Sequence, residues 1–246
     1  MELAQRVWAI KPSPTLSVTA LAAQLKAQGK DIIGLAAGEP DFDTPQPIKA
    51  AAIRAINEGF TKYTPVGGTA SLKQAVVNKL KRENGLDYTP KQVLVSCGGK
   101  QSFFNLAQAI IDPGDEAVIP APYWVSYPDI ILLAGGKPVF AFAGIEQQFK
   151  ITPQQLAAAI TPKTKLVVLN SPSNPSGAVY TREELAALGE VLRAHPKLLI
   201  ATDDIYEHIL FDDAPFVNIL SVCPDLTERT MVLNGVSKAY SMTGWR

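Results

Sequence analysis

Leu166-Val-Val-Leu-Asn-Ser-Pro-Ser-Asn-Pro-Ser-Gly177, a helical pattern over residues 181–194, and Leu198-Leu-Ile-Ala-Thr-Asp-Asp-Ile-Tyr206 decide the fold. Neither apolar run alternates as a half-buried strand does. Both read as strands covered on each face, joined by a crossover helix, which implies a parallel sheet between helical layers. The rhythm extends outward. Val93–Ser96, Glu116–Pro120, Pro138–Phe142 and Thr230–Asn234 are further strand candidates, and residues 100–111, 125–133 and 153–160 carry helical spacing between them. The expected architecture is α/β: three layers, α/β/α, with a mostly parallel sheet.

Upstream, residues 1–45 read as an irregular arm around one helix. Lys11-Pro-Ser-Pro14 is expected to be extended, since each proline pushes its predecessor out of the helical region. Ser17 is expected to cap a helix carrying Val18, Leu21, Ala22 and Leu25, stopped by Gly29. Ile32–Ala36 reads as a short strand and Gly38-Glu-Pro-Asp-Phe-Asp-Thr-Pro45 as turn chemistry. Two helices follow, one from the prolines at 45 and 47 to Gly59, the other from Thr69 to Asn84, ending at Gly85.

Composition excludes several function classes. The chain has 246 residues, 47% of them hydrophobic, so burial of roughly 70% of the unfolded surface is expected and a packed core follows. Lys+Arg and Asp+Glu are both 23, with no basic block, which argues against a nucleic-acid or anionic-membrane surface. No apolar run reaches the about 20 residues of a membrane span. Cys97 and Cys223 cannot build a disulfide framework, and His195 and His208 are not spaced as a metal pair. The start of the chain lacks the apolar stretch of a signal peptide, so a cytoplasmic location is expected.

In open α/β sheets ligands bind beyond the carboxyl ends of the strands. Those ends carry Gly98-Gly99-Lys100, Pro122-Tyr123-Trp124, Asn174-Pro175-Ser-Gly177, Asp203-Asp204-Ile205-Tyr206, and Gly235-Val-Ser-Lys238 with Gly244-Trp-Arg246 downstream. Singly, each has an ordinary structural account: a tight turn, a core indole, a helix-capping Asp, a solvated Lys or Arg. Together on one edge they match the needs of pyridoxal phosphate. Its phosphate takes free N–H groups at a helix N-terminus and a guanidinium such as Arg246. Its ring takes an aromatic face and a carboxylate opposite the pyridine nitrogen, and its aldehyde forms a Schiff base with a lysine. A dinucleotide would want GxGxxG after a strand, and the chain has none.

Ser237-Lys-Ala-Tyr-Ser-Met-Thr-Gly-Trp-Arg246 resembles the cofactor-lysine signature of the class I (fold type I) aminotransferases. Gly38-Glu-Pro-Asp-Phe-Asp-Thr-Pro45, Lys62-Tyr-Thr-Pro-Val-Gly-Gly68, Pro122-Tyr-Trp-Val-Ser-Tyr-Pro128, Asn174-Pro-Ser-Gly177 and Asp203-Asp-Ile-Tyr206 resemble its other landmarks, in order. The resemblance implies pyridoxal 5'-phosphate held by Lys238, with Asp203 at the pyridine nitrogen. Tyr206 and Asn174 would sit at the ring oxygen, Trp124 against the ring, and Gly98, Gly99, Lys100 and Arg246 at the phosphate. Tyr63 would reach the phosphate of a second subunit, which implies a homodimer with shared sites. Gly38, Trp124 and Asn174 would line the substrate carboxylate. The subgroup most resembled is the bacterial aspartate aminotransferases, including those that accept prephenate. There Lys11 is associated with the second substrate carboxylate, against a plain reading as a solvated loop lysine.

The implied reaction is transamination between an amino acid, aspartate foremost, and a 2-oxo acid, 2-oxoglutarate foremost. A β-C–S lyase or other eliminase on the same fold, and a non-catalytic or regulatory module, are the alternatives. Ser176 stands where Thr is usual, Asp204 where Glu is usual, and Gly235 where some relatives have a phosphate-binding Ser. The resemblance divides the chain into an arm with part of a small domain, 1–45, and a large cofactor domain, 46–246, expected to be incomplete at its C-terminus. Family members continue well beyond this arginine, so the 246 residues alone are expected to transaminate poorly or not at all.

Overall fold

The computed structural model describes residues 2–35, 37–211 and 215–245. Five parallel strands form one sheet: β1 Glu116–Ala121, β2 Lys137–Phe142, β3 Thr164–Asn170, β4 Leu199–Asp203 and β5 Thr230–Leu233. Their spatial order is β2-β1-β3-β4-β5. The chain therefore runs outward from β1 to β2, returns to the other side of β1, and continues outward again through β5. The switch point lies between β1 and β3, where a crevice opens at the carboxyl ends. Register pairs Asn170 with Asp203 and Asp203 with Leu233, so β3, β4 and β5 finish level.

The helices are α1 Gln5–Trp8, α2 Pro14–Ala27, α3 Gln46–Asn57, α4 Ala70–Lys79, α5 Gly99–Ile110, α6 Ser126–Leu133, α7 Pro153–Ala159, α8 Arg182–Arg193, α9 Ile219–Val222 and α10 Val236–Ala239. On one sheet face Val118, Val167, Leu169 and Ile200 pack in a cluster with Leu156 of α7 and Leu185, Leu188 and Leu192 of α8. On the other, Ala117, Ile119, Leu166, Val168 and Ala201 meet Phe103 of α5 and Tyr127 and Ile131 of α6. The central strands β1, β3 and β4 are largely apolar because both their faces are covered, as their apolar runs implied, whereas the edge strand β2 leaves Phe140 and Phe142 exposed. Each large side chain so buried stabilises by about 1.5–3 kcal/mol. Helices α7 and α8 start at reciprocal capping boxes, Thr152 with Gln155 and Thr181 with Glu184. Among the described residues no helix is long and apolar enough to cross a membrane.

Three local expectations need correction. The cap of α2 is Ser13, whose Oγ accepts the Leu16 N–H at 3.4 Å, not Ser17. Pro14 fits the first helical turn, where its missing N–H costs nothing, so the helix begins earlier than the prolines implied. Val93–Ser96 runs extended but joins no strand; the Val95 N–H donates to the Gly67 carbonyl at 3.0 Å, and Leu94 is 61% exposed. Residues 32–35 are likewise unpaired, and Ile33 and Leu35 lie on the surface. β-Propensity describes fit to a pleated, half-buried surface. No partner strand meets either segment among the described residues.

Candidate active site

The groups at the carboxyl edge are tied together by direct contacts. From the loop after β1, the Trp124 ring meets the Tyr127 ring edge-on, with centroids 5.2 Å apart. The Lys100 ammonium lies 5.2 Å from the Trp124 ring centroid. Tyr127, buried in α6, donates its hydroxyl proton to Asp203 Oδ2 at 2.6 Å. Asp203 ends β4, and its Oδ1 accepts the Ile205 N–H at 3.2 Å. Asn170, at the end of β3, donates from Nδ2 to the Asp203 carbonyl at 2.9 Å and accepts the Asn174 N–H on Oδ1 at 2.9 Å. Asn174 in turn lies beside Tyr206, close enough to lower its phenol's pKa.

The Lys238 amine completes the ring of contacts. It lies 5.9 Å from the centroid of the Tyr206 ring and donates to the Gly38 carbonyl. Gly38 is brought there because residues 38–44 pack on the segment following α10: Trp245 Nε1 donates to Thr44 Oγ1 at 3.0 Å, and Thr44 Oγ1 donates to the Ser241 carbonyl at 2.5 Å. At the start of α5, Gly98 adopts φ +89°, ψ 161°, a conformation essentially reserved for glycine. The N–H groups of Gly99 and Lys100 make no hydrogen bond among the described residues, and the space beside the Gly99 Cα is open. Free N–H groups at the positive end of a helix dipole form an anion cradle.

Burial shapes the titration of the edge. It raises the Asp203 carboxyl above its ordinary range, although the Tyr127 and Ile205 hydrogen bonds pull it back. Tyr206 is raised by burial and then by the Asp203 charge, so its phenol stays protonated at neutral pH. Asp204, 2% exposed, points away from Asp203's partners and accepts from the Thr202 hydroxyl at 2.8 Å and from the Asn218 amide. Burial pushes its carboxyl from 3.8 to about 7. The folded chain thus keeps a proton that the unfolded chain releases near 3.8, and stability falls as pH rises through that window. The expected cost by neutral pH is on the order of 2–4 kcal/mol. Asp204→Asn fits the same partners, its oxygen accepting from Asn218 and its amide donating to Thr202. Denaturant melts between about pH 5 and about pH 8 should show a shallower loss of stability in that variant than in the parent, and equal slopes would refute the buried-proton account.

Not every expected residue joins this edge. Tyr63 is fully exposed and Lys11 is exposed, and neither touches the groups above among the described residues. Arg246 lies outside the described residues. Conversely, Tyr127 and Asn170 were not singled out from sequence. Their signals were present: Tyr127 falls one helical turn after Trp124, and Asn170 ends a strand whose neighbour ends at Asp203.

Comparison with known proteins identifies the family. The family model for aminotransferase class I and II matches residues 30–246. An aspartate/prephenate aminotransferase of Nitrosomonas europaea is 71% identical over 246 residues, covering 100% of this chain and 62% of the relative. The crystal structure of the aspartate aminotransferase from Rhizobium meliloti superposes with a TM-score of 0.96 at 49% identity, over 100% of this chain and 62% of that one. The aspartate aminotransferase from Thermus thermophilus with maleate gives 0.95 at 47% identity, over 100% and 63%. The chain thus spans about three-fifths of the length of these relatives. With the sheet topology, the family match and these relatives in agreement, the chain belongs to the class I and II aminotransferases, a pyridoxal-phosphate-dependent family.

Proposed function

We propose that the protein carrying this sequence is an aminotransferase that moves an amino group between an acidic amino acid, aspartate foremost, and 2-oxoglutarate, with prephenate as a further acceptor. The observation that carries this reading is the convergence on one sheet edge of the contact path from Trp124 through Tyr127, Asp203 and Asn170 to Asn174, and of the Lys238 amine beside the Tyr206 ring. The donor set fits pyridoxal phosphate: an anion cradle, an aromatic plate, a carboxylate, two hydrogen-bonding groups for a phenolic oxygen, and an amine. When bound, that group supplies an electron sink for the negative charge left at the substrate's α-carbon.

The chain's own residues do the rest. Gly98, Gly99 and Lys100 would hold the phosphate, joined by Arg246. Trp124 would cover the ring. Asp203 would supply the negative charge for the pyridine nitrogen, while Tyr206 and Asn174 would orient the ring oxygen. The Lys238 amine would hold the aldehyde and would move the proton at the substrate's α-carbon. Gly38, Trp124 and Asn174 line the α-carboxylate and Lys11 meets the second carboxylate; the Thermus relative's maleate, a four-carbon dicarboxylate, supports an acidic substrate. Tyr63, exposed on this chain, reaches the phosphate of a second copy in a cytoplasmic homodimer. Residues 1–45 serve as an arm and part of a small domain, and 46–246 as the large domain.

Borohydride reduction after incubation with pyridoxal phosphate, followed by peptide mapping, tests the assignment. The label is expected on the peptide containing Lys238. A label confined to other lysines overturns it.

A further inference from the structure

Glu207 has no place in the contact path above, yet it is only 6% exposed and its carboxylate gathers three donors from two separate parts of the chain. The Lys79 ammonium at the end of α4 donates to Oε1. Asn84, closing the π-helical turn after α4, donates from Nδ2 to Oε2 at 2.7 Å, and Asn234, directly after β5, donates from Nδ2 to Oε1 at 2.7 Å. Burial alone would push this carboxyl up, but these three donors outweigh it and hold it below its ordinary range. A buried carboxylate is tolerated only with such compensation, and what it gains for the fold is fixed geometry.

Two of its links lead to the site. Glu207 follows Tyr206 in a turn closed by its own N–H donating to the Asp204 carbonyl at 2.9 Å and by the Ile209 N–H donating to the Tyr206 carbonyl at 2.8 Å. Asn234 is held at both ends of its amide: Nδ2 donates to Glu207, and Oδ1 accepts the Gly235 N–H at 2.7 Å. Gly235 is the residue from which α10, with Lys238, begins. The carboxylate therefore orients an amide, and the amide orients the turn that aims the lysine.

His208 Nε2 lies 3.3 Å from Glu83 and 3.6 Å from Glu207, so Glu83, Glu207 and His208 bring ligand atoms close together. That group is not a cation site, because the Lys79 ammonium already lies against both Glu207 and Glu83.

We propose that Glu207 is a positioning residue that locks the turn bearing Lys238 to the turn bearing Tyr206, and both to the end of α4. The lock keeps amine and phenol in register while Lys238 changes bonding partner. This rests on the reading of Lys238 as the cofactor lysine. Only an anion can accept from an ammonium and two amides at once; a glutamine must present its NH2 to one of the three donors.

Glu207→Gln and Asn234→Ala test the lock; the second leaves the Lys79 pair intact and decides the matter if the first does not fold. In cofactor-free protein, amide hydrogen exchange over residues 235–238 should quicken by about tenfold or more in both variants. With pyridoxal phosphate added, borohydride-trapped label on Lys238 should need roughly tenfold more cofactor, and the pH midpoint of the visible absorbance should move. The double variant should be no worse than the poorer single one. Lowered melting temperature with unchanged exchange, trapping and midpoint overturns the proposal. Absence of label at Lys238 in the parent overturns the cofactor reading and this proposal with it. Normal label in the parent with unaltered variants overturns this proposal alone.

Discussion

In the active protein carrying this sequence, Lys238→Ala is expected to abolish the yellow, borohydride-reducible linkage to pyridoxal phosphate and to lower turnover by more than about 10⁴-fold. Two losses combine in one residue. Without the amine the cofactor is held by non-covalent contacts alone, and the effective concentration that a tether provides disappears. The proton at the substrate's α-carbon also loses its carrier, a role worth about 10²–10⁴-fold by itself. The edge holds a second amine, so the prediction discriminates between them. Lys100 lies over the Trp124 ring, whereas Lys238 faces Tyr206 and the Gly38 carbonyl. Lys100→Met should weaken cofactor binding while the reducible label stays on Lys238. Persistence of colour and reducible label in Lys238→Ala would mean that the assignment is wrong. Absorbance spectra and peptide mapping of the two variants, with melting curves to confirm folding, suffice to decide.

Local and non-local signals divide what could be read from the sequence. Strands β1, β3 and β4 were legible because burial on both faces leaves a local mark, an uninterrupted apolar run such as Leu166–Leu169. Val93–Ser96 carries a similar mark and is not a strand, because pairing depends on a neighbour that composition does not reveal. The helical spacing over residues 181–194 placed α8, whose start is fixed locally by the Thr181–Glu184 capping box, closed within three residues. The start of α2 was not, since Ser13 and Ser17 both suit a cap and the choice turns on how Pro14 enters the first turn. The site divides in the same way. Asp203 ends a strand, and Asn174, Tyr206 and Lys238 follow strand ends within about five residues, so topology alone collects them. Tyr127 gains its importance from Asp203, 76 positions away, and Glu207 from Lys79, 128 positions away. No spacing rule connects such partners before the sheet is assembled.

Asp203→Asn is expected to reduce turnover by about 10³-fold, close to 4 kcal/mol of transition-state stabilisation, with little change in folding. The substitution keeps the shape. One amide oxygen can still accept from Tyr127 or from the Ile205 N–H, the two donors that now flank the carboxylate. What vanishes is the charge. The proposed role of Asp203 is to keep the pyridine nitrogen protonated, and a neutral amide cannot supply the opposing charge that holds a proton there. Tyr127→Phe separates charge from orientation, since it deletes the 2.6 Å hydrogen bond and leaves the carboxylate in place. A hydrogen bond to a charged group contributes about 1.5–3 kcal/mol, so a loss of roughly 10–100-fold is expected. Losing the Tyr127 donor also removes one of the two bonds that offset burial, so the Asp203 carboxyl should rise further and the low-pH limb of the rate profile should move upward. The two variants thus have a predicted order and a predicted difference in kind. Asp203→Asn lowers the rate at every pH, and Tyr127→Phe lowers it less and shifts the acid limb. Single-turnover rates measured across pH read both effects. If Tyr127→Phe proves as damaging as Asp203→Asn, orientation rather than charge is what Asp203 contributes, and its assignment to the ring nitrogen fails.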